Sequence, residues 1–389
     1  MEAATGGDNP YLPPEIIIDI LKRLRVKSLL RFRAVCKDWR NLLKSPFFIE
    51  EHYHHSANKS PLLTCHVSNS NPIYSPLCLF RLEKETVEAE RIHLMDFDFL
   101  RRVSCIIGSS NGLLCVKLDD EKFDPPPSLF LLNPATREVM KVPRSTNDVG
   151  SRCHFGFGCS SVVGDYKIVR IHKERINSLI ITCVDRVEVY SLRTGSWKEV
   201  EFGVIQGACF LYNPVAVNGA IFWLGILEGE YRPVIISFDL AMEVFTLIRI
   251  PSSAFVPPLP PLTPFTQYVL DVCENKLAMT HQYVHELKEV HEYTFIDLWV
   301  LEEGSGTYGK SCSWSKKYRI RADPSSLRPI CLWRNEIVCF NRSDPDLLFS
   351  LTANNELKRF HMSLCKGYMP TGSFFYAESL ISMCNTYFE

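Results

Sequence analysis

The chain has 389 residues, of which 46% are hydrophobic, and a formal net charge of -1 at pH 7. This length has room for a larger domain with its own core beside a small one. No apolar run of about 18 residues could span a bilayer, and no N-terminal stretch resembles a signal peptide, so we expect a soluble protein without membrane contacts. The 15 cysteines are scattered and form no Cys-x-x-Cys pair, which favours reduced thiols and a cytoplasmic or nuclear location.

The N-terminal segment 9–51 carries more apolar side chains than short helices can bury among themselves. Segments of about 40 to 50 residues rarely fold stably without a metal, disulfides or a partner. Two interpretations are open on this evidence. Either another protein covers the surplus, or the helices pack on the rest of the chain.

Apolar spacing predicts three short helices in this segment. Positions 16, 17, 20, 21 and 24 repeat as one helix face, and Pro13-Pro14 suits a first helical turn. Ser28 is the expected N-cap of the second helix. The third helix is expected near 36–44, and Ser45-Pro46 should end it, because the residue before a proline avoids the helical region.

The same segment resembles the F-box of plant F-box proteins over about 40 consecutive positions. The matching residues are Leu12-Pro13-x-Glu15-Ile16, the run from Val26 to Trp39, and Ser45-Pro46-x-Phe48. Arg25 departs from the family, which usually has proline there, and we expect a slightly altered turn. The resemblance implies docking to a Skp-family adaptor of a cullin-RING (SCF) ubiquitin ligase. The residues it implies in that contact are Leu12, Pro13, Ile16, Leu29, Phe32, Val35, Cys36 and Trp39.

A basic cluster overlaps the predicted helices. Between Lys22 and Lys44 the only acidic residue is Asp38. The basic residues are Lys22, Arg23, Arg25, Lys27, Arg31, Arg33, Lys37, Arg40 and Lys44. Nucleic-acid binding is disfavoured, because these helices lack the polar face that reads base edges. A solvated surface, or attraction to an acidic partner protein, fits the cluster better.

From about residue 60 the pattern changes to short strands that repeat. Polar turn residues sit between apolar runs at regular intervals, with anchors at Asn111, Gly164, Asn218, Asn275 and Asn335. Each anchor predicts a tight hairpin, and a second hairpin follows it. Two hairpins per repeat make four strands per unit, with a period near 50 residues that is typical of kelch-like propeller blades.

We therefore predict an all-β, kelch-like propeller of about six four-stranded blades, with seven as the alternative count. The last apolar segment, Phe374–Ile381, should pair into the first blade and close the ring. A β-sandwich with accidental spacing is the competing interpretation. The predicted organisation is a disordered N-terminus (1–8), an F-box (9–51), a linker (52–60) and a propeller (61–389).

The repeat region also resembles the F-box-associated, kelch-like domain of many plant proteins, among them the S-locus F-box group and relatives that control immune receptors. The best local match runs from Leu131 to Glu138. In a four-stranded blade the first and third turns share one face, and the second turn lies on the other. Here the second connections look long, and long loops on a rigid scaffold commonly carry recognition. Interface-forming residues predicted there are His172, Lys173, Arg175, Tyr231, Arg232, Tyr283, His285 and His291.

Catalytic motifs and metal-ligand spacings are not evident in the sequence. His52, His54 and His55 have no matching cysteine or carboxylate spacing, and they are expected to end a short helix instead. We find no Gly-x-Ser-x-Gly, P-loop or dinucleotide motif. The proline-rich run 256–261 is expected to connect two blades rather than to bind a polyproline-recognising module.

These observations predict a non-catalytic protein without a cofactor or metal. Its F-box would hold the adaptor, and its propeller would hold a target protein close to the ubiquitin-transfer machinery. A scaffold that binds the adaptor without directing ubiquitination is the main alternative. A propeller enzyme is a further one, but the inner strands lack matching His, Tyr or Cys positions.

Overall fold

The structure is a computed structural model. It describes residues 12–57, 62–68, 77–82, 87–88, 103–118, 128–146, 152–175, 182–211, 213–254, 266–286, 292–302, 312–322, 326–333, 335–341, 343–354, 356–361 and 368–383. A helical module comes first, and an array of antiparallel sheets follows it. The class predicted from the sequence, short helices and then an all-β propeller, is confirmed.

The helical module, residues 14–57, contains four helices. These are α1 (Pro14–Leu21), α2 (Val26–Phe32), α3 (Lys37–Leu42) and α4 (Pro46–Ala57). Pro14 opens α1 as expected, where its missing N–H leaves no helical bond unmade. The Ser28 cap prediction is wrong, because α2 begins earlier and the extended Arg25 is its N-cap residue.

The fourth helix extends the predicted F-box. Pro46 ends the preceding segment and also begins α4, which carries Phe48 into the core of the module. His54 and His55 lie in its last turn, as the sequence predicted. Residues 52–57, expected as linker, are therefore helical.

The described part of the chain forms six antiparallel sheets. Sheet 1 contains β1 (Leu62–Ser68), β2 (Leu77–Leu82), β3 (Val87–Glu88) and the last strand, β25 (Tyr368–Phe375); sheet 2 contains β4 (Val103–Ser110), β5 (Leu113–Leu118), β6 (Ser128–Asn133) and β7 (Glu138–Lys141). Sheet 3 contains β8 (Arg152–Ser160), β9 (Asp165–Arg175), β10 (Thr182–Ser191) and β11 (Ser196–Glu199).

The remaining three sheets follow in chain order. Sheet 4 contains β12 (Ala208–Phe210), β13 (Val215–Val217), β14 (Ala220–Leu227), β15 (Pro233–Asp239) and β16 (Val244–Arg249). Sheet 5 contains β17 (Gln267–Cys273), β18 (Lys276–Glu286), β19 (Glu292–Glu302) and β20 (Ser313–Ala322), and sheet 6 contains β21 (Leu327–Trp333), β22 (Glu336–Asn341), β23 (Asp344–Leu351) and β24 (Leu357–His361). Short 3-10 turns at Gly203–Ile205 and Ser252–Ala254 join sheets 3 to 4 and 4 to 5.

The inner strands of neighbouring sheets touch in cyclic order. The sequence of contacts is β4 with β8, β8 with β13, β13 with β17, β17 with β21, β21 with β25, and β25 with β4. Strand β25 pairs antiparallel with β1, so the last strand does complete the first sheet. It spans Tyr368–Phe375 rather than the predicted Phe374–Ile381.

The predicted hairpin anchors are turns with left-handed backbone. Asn111, Asn218, Asn275 and Asn335 have φ between 48° and 64°, and Gly164 has φ 60°. Asparagine and glycine adopt this region at the lowest cost among the residues, which explains their recurrence at these positions.

Apolar side chains fill the spaces between neighbouring sheets. Trp223 of sheet 4 is fully buried against sheet 3, and its indole N–H donates to the Phe155 carbonyl oxygen over 3.1 Å. A Cβ atom at Gly156 would lie 2.4 Å from the Trp223 ring, so only glycine admits this indole. Such contacts fix each sheet against the next.

Candidate docking surfaces of the helical module and the propeller

The helical module exposes large apolar side chains on its outer surface. Leu12 is 53% exposed, Ile16 47%, Ile20 46%, Val35 61% and Phe47 60%. Several large apolar side chains exposed on so small a module indicate an interaction surface. Ile20 and Phe47 were not among the residues predicted for adaptor binding, although Ile20 lies one turn after Ile16 on the same helix.

The predicted adaptor-binding residues divide by burial. Pro13 and Cys36 are exposed like Leu12, Ile16 and Val35, while Phe32 and Trp39 are half-buried. The Phe32 and Trp39 rings pack with centroids 5.5 Å apart. The Cys36 thiol accepts a hydrogen bond from the Trp39 backbone N–H over 3.4 Å and caps α3.

Leu29 does not belong to this surface. Its side chain is completely buried in the module core with Leu21, Val26, Leu43 and Phe48. Direct contact with a partner, as predicted from the sequence, is therefore wrong for Leu29. Its position in the core indicates a role in the folding of the module.

The module is fastened to the propeller by the C-terminal segment, residues 376–383. Leu380 is 1% exposed and belongs to the module core, and the Val26 backbone N–H donates to Glu378 Oε2 over 3.0 Å. On the propeller side, the Asn133 amide donates to the carbonyl oxygens of Ser379 and Ile381 over 3.0 and 2.7 Å. Packing on the rest of the chain is therefore confirmed for the residues of this core, and coverage by another protein stays a prediction for the apolar residues that face solvent.

The module sits over the face of the propeller that carries the first turns. Between them lies a cavity of about 1890 Å³. It is lined by Ile49, Tyr53 and His54 of α4 and by the turn residues Asn111, Asn218 and Asn335. In the described strands, the ends that lead into the second turns lie at the opposite edge of the sheets from the first turns.

The basic cluster lies mostly on the surface of the module. Arg23, Arg25, Lys27, Arg31 and Lys37 are exposed, and so are Arg40 and Lys44. Asp19 pairs with Lys22 and Arg23, and the hydrogen bond from Lys22 lowers the pKa of that carboxyl group. The exposed residues leave a positive surface beside the apolar patch.

The residues predicted for target binding do not form one exposed set. Tyr231 is 84% exposed, and Arg232 is also exposed, in the second connection of sheet 4. His172 (0%), Lys173 and Tyr283 (8% each) are buried, so their predicted exposure is wrong. They lie inside strands because β9 and β18 are each 11 residues long. These strands include residues that the sequence predicts to lie in loops.

For three further residues predicted to bind the target, the structure does not describe the side chain. Arg175 and His285 lie in strands β9 and β18, but their side chains are outside the described residues. His291 lies outside the described residues altogether, as does the proline-rich run. Among the described residues, no cluster of three or more His, Cys, Asp or Glu side chains could hold a metal ion.

Two further observations concern the same described part of the chain. None of its cysteines forms a disulfide within the described residues. Its longest helices are too short, or too polar, to cross a bilayer.

Family comparisons agree with this architecture. The F-box domain model matches residues 10–50, and the model of the F-box associated beta propeller domain matches residues 62–328. The chain belongs to the F-box associated beta propeller family, and it is a plant F-box protein with that domain at its C-terminal side.

Individual relatives are distant in sequence. F-box protein CPR1 of Arabidopsis thaliana is 27% identical over 359 residues, which cover 83% of this chain and 76% of that protein. F-box protein At2g21930 of the same plant is 26% identical, over 63% of this chain and 61% of its own length. Among solved structures, a Penicillium chrysogenum alpha-L-arabinanase covers 77% of this chain and 85% of its own at 11% identity, but its TM-score of 0.38 is too low to bear on function.

Proposed function

We propose that this protein is the substrate-recognition subunit of an SCF-type ubiquitin ligase. The helical module would dock a Skp-family adaptor, and the propeller would hold the protein to be ubiquitinated. The observation that carries this proposal is the exposure of five large apolar side chains, Leu12, Ile16, Ile20, Val35 and Phe47, within the F-box match. The propeller then acts by proximity, because holding a target near the transfer machinery raises its effective concentration.

Co-expression with a Skp-family adaptor, followed by size-exclusion chromatography, tests the docking step. We expect a stoichiometric complex with the wild-type chain, and its loss in Ile16→Asp and Val35→Asp. Both substitutions place a charge in the exposed patch and leave the buried core of the module alone. Val162→Asp is the matched control, since Val162 is 85% exposed on the propeller. A folded wild-type chain that forms no complex would end the ligase assignment.

The second-turn face is the proposed target-binding surface. Tyr231 and Arg232 support it, because both are exposed and the helical module lies on the other face. Aromatic and arginine side chains are the types that most often contribute binding energy at interfaces. Tyr231→Ala/Arg232→Ala should retain the adaptor complex and reduce ubiquitination of bound targets in cells, measured by quantitative proteomics of ubiquitin-modified peptides. Unchanged modification would remove this surface from the proposal.

We further infer a ring of six blades and a cytoplasmic or nuclear location. The six sheets and the cyclic contacts of their inner strands support the blade count. The free thiols support a reducing compartment. The domain limits 9–51 and 61–389 remain predictions, close to the two family matches.

A further inference from the structure

A polar cluster lies where sheet 3 faces sheet 2, at the end of sheet 3 that carries its second turn. Cys153 on β8 is directly opposite His172 on β9 in the strand register. Glu188 comes from β10, and Ser145 comes from the connection that leads out of sheet 2. His172 is 0% exposed and Glu188 is 2% exposed, whereas Cys153 is half-buried.

The geometry of the cluster orders its hydrogen bonds. His172 Nε2 lies 2.6 Å from Glu188 Oε2, and the hydroxyl of Ser145 donates to the other oxygen of that carboxylate. Because a carboxylate only accepts, Nε2 carries the proton and Nδ1 is left as the acceptor. Nδ1 lies 3.6 Å from the sulfur of Cys153. A thiol, a base and an acid that orients the base are thereby aligned, which is the arrangement that activates nucleophiles.

One guanidinium group contacts the sulfur. Arg170 Nε donates to Cys153 Sγ over 3.4 Å. Arg186 Nη2 lies 3.3 Å from the same His172 nitrogen, so the guanidinium has to leave that single lone pair before His172 takes the thiol proton. Burial alone would raise the pKa of the Cys153 thiol, but the hydrogen bond with His172 and the charge of Arg170 outweigh it and lower that pKa.

Cys159 provides an internal comparison on the same strand. It is also half-buried, on the same side of β8, but its neighbours are Tyr166 and Asp165 instead of a histidine and an arginine. Burial raises the pKa of its thiol to about 11. The contrast between the two cysteines therefore comes from the cluster rather than from the strand.

We propose that Cys153 is a peroxide-reactive thiol, activated by His172 and Glu188 and held by Arg170. In the reaction the Cys153 sulfur attacks one oxygen of hydrogen peroxide, an S–O bond forms, and the O–O bond breaks. The leaving hydroxide takes the thiol proton, which His172 has accepted, and departs as water. Sulfur is oxidised to a sulfenic acid and the peroxide is reduced, so the sum is one thiol and one peroxide to one sulfenic acid and one water. This site is independent of adaptor docking.

The test is site-resolved oxidation of the reduced full-length chain. Hydrogen peroxide is added at pH 7, sulfenic acid is trapped with a dimedone-type reagent, and peptide mass spectrometry measures the rate at each cysteine. We expect Cys153 to be trapped at least about five times faster than the exposed Cys36, since thiolate is the reacting form. Cys159 should remain essentially unlabelled. Equal rates at Cys153 and Cys36 in the wild-type chain would overturn the proposal without any variant.

Two variants separate activation from mere structure. Cys153→Ser should lose the adduct and nothing else. Glu188→Gln removes the charge that orients His172 while keeping its shape, and it should move the pH midpoint of Cys153 alkylation upward. Lys198→Gln, on the neighbouring strand β11, is the control and should leave that midpoint unchanged. A midpoint unaffected by Glu188→Gln would show that His172 and Glu188 do not activate the thiol.

Discussion

His281 is a histidine without a hydrogen-bond partner at either ring nitrogen within the described residues. It is 1% exposed on β18 and stacks between Tyr268, at 4.6 Å, and Tyr283, at 4.9 Å between ring centroids. Burial lowers the pKa of His281 to about 4, despite the nearby carboxylate of Asp297. A neutral imidazole in this stack acts as an aromatic ring and not as a charge.

The stability of the protein should therefore fall as acid is added. Between pH 6.5 and 4, His281 is protonated in the unfolded chain but remains neutral in the folded chain. The free energy of unfolding is therefore highest above pH 6.5 and falls as the pH is lowered toward 4. The loss is about 3 kcal/mol from this residue. His281→Phe should remove that share, as measured by urea unfolding of both chains from pH 7 to pH 4. His54→Gln, at an exposed position, is the control. The prediction would be contradicted if the difference in unfolding free energy between the wild-type chain and His281→Phe did not change with pH.

The C-terminal segment packs closely against Gly112, a glycine in the first turn of sheet 2. Gly112 has φ 81°, and a Cβ atom there would lie 2.4 Å from Ser379 Cβ and 2.7 Å from the Ala377 carbonyl oxygen. Gly164 has φ 60° in the corresponding turn of sheet 3, but it has no atom within 4 Å of its Cβ position. The two glycines share the backbone requirement and differ only in what packs on them.

Gly112→Ala should thus cost more than Gly164→Ala. Both substitutions strain a left-handed turn, but only the first pushes the C-terminal segment away from sheet 2. The excess destabilisation should be about 1 to 3 kcal/mol, the usual range for overpacking. Chemical denaturation of the two variants measures it. Equal losses would mean that the segment is not tightly packed on this turn.

The core of the helical module extends beyond the module itself, because it includes Leu380 of the C-terminal segment and Ala135 of the propeller packs against it. We expect a single cooperative thermal transition for the full chain, because neither part completes its packing alone. Leu380→Ala should destabilise the module by about 2 to 5 kcal/mol and split the transition, as followed by scanning calorimetry. Met242→Ala, at a 71% exposed position, should leave one transition in place. Two transitions in the wild-type chain would refute the coupling.

The positive surface of the module should speed its encounter with an acidic adaptor. Lys27→Glu/Arg31→Glu should lower the association rate constant about tenfold at low salt, with less effect at high salt. Both side chains are exposed and lie on α2. Arg193→Glu/Arg359→Glu makes the same change in net charge on the propeller and should have little effect in stopped-flow binding. A salt-independent rate for the wild-type chain would argue against steering.

Local features of this fold were predictable from the sequence, whereas burial was predictable only in part. Asn111 and Asn335 allow their turns to be predicted, because a positive φ depends only on a residue and its sequence neighbours. His172 and Tyr283 were placed in exposed loops, since strand length depends on pairing with distant residues that single-sequence spacing does not contain. The sequence predicts partner contact for Leu29, because the packing of Leu380 into the same core depends on a residue far along the chain.

The position of Leu380 also bears on how the chain is made. The helical module emerges from the ribosome before the propeller, but Leu380, which completes the core of the module, emerges only after the strands of all six described sheets. Strand β25, which pairs with β1, appears just before it. Prematurely terminated products thus lack both the closing strand and the fastening of the module, so truncated chains would present a loosened F-box and an unpaired sheet edge to the cell's quality-control machinery.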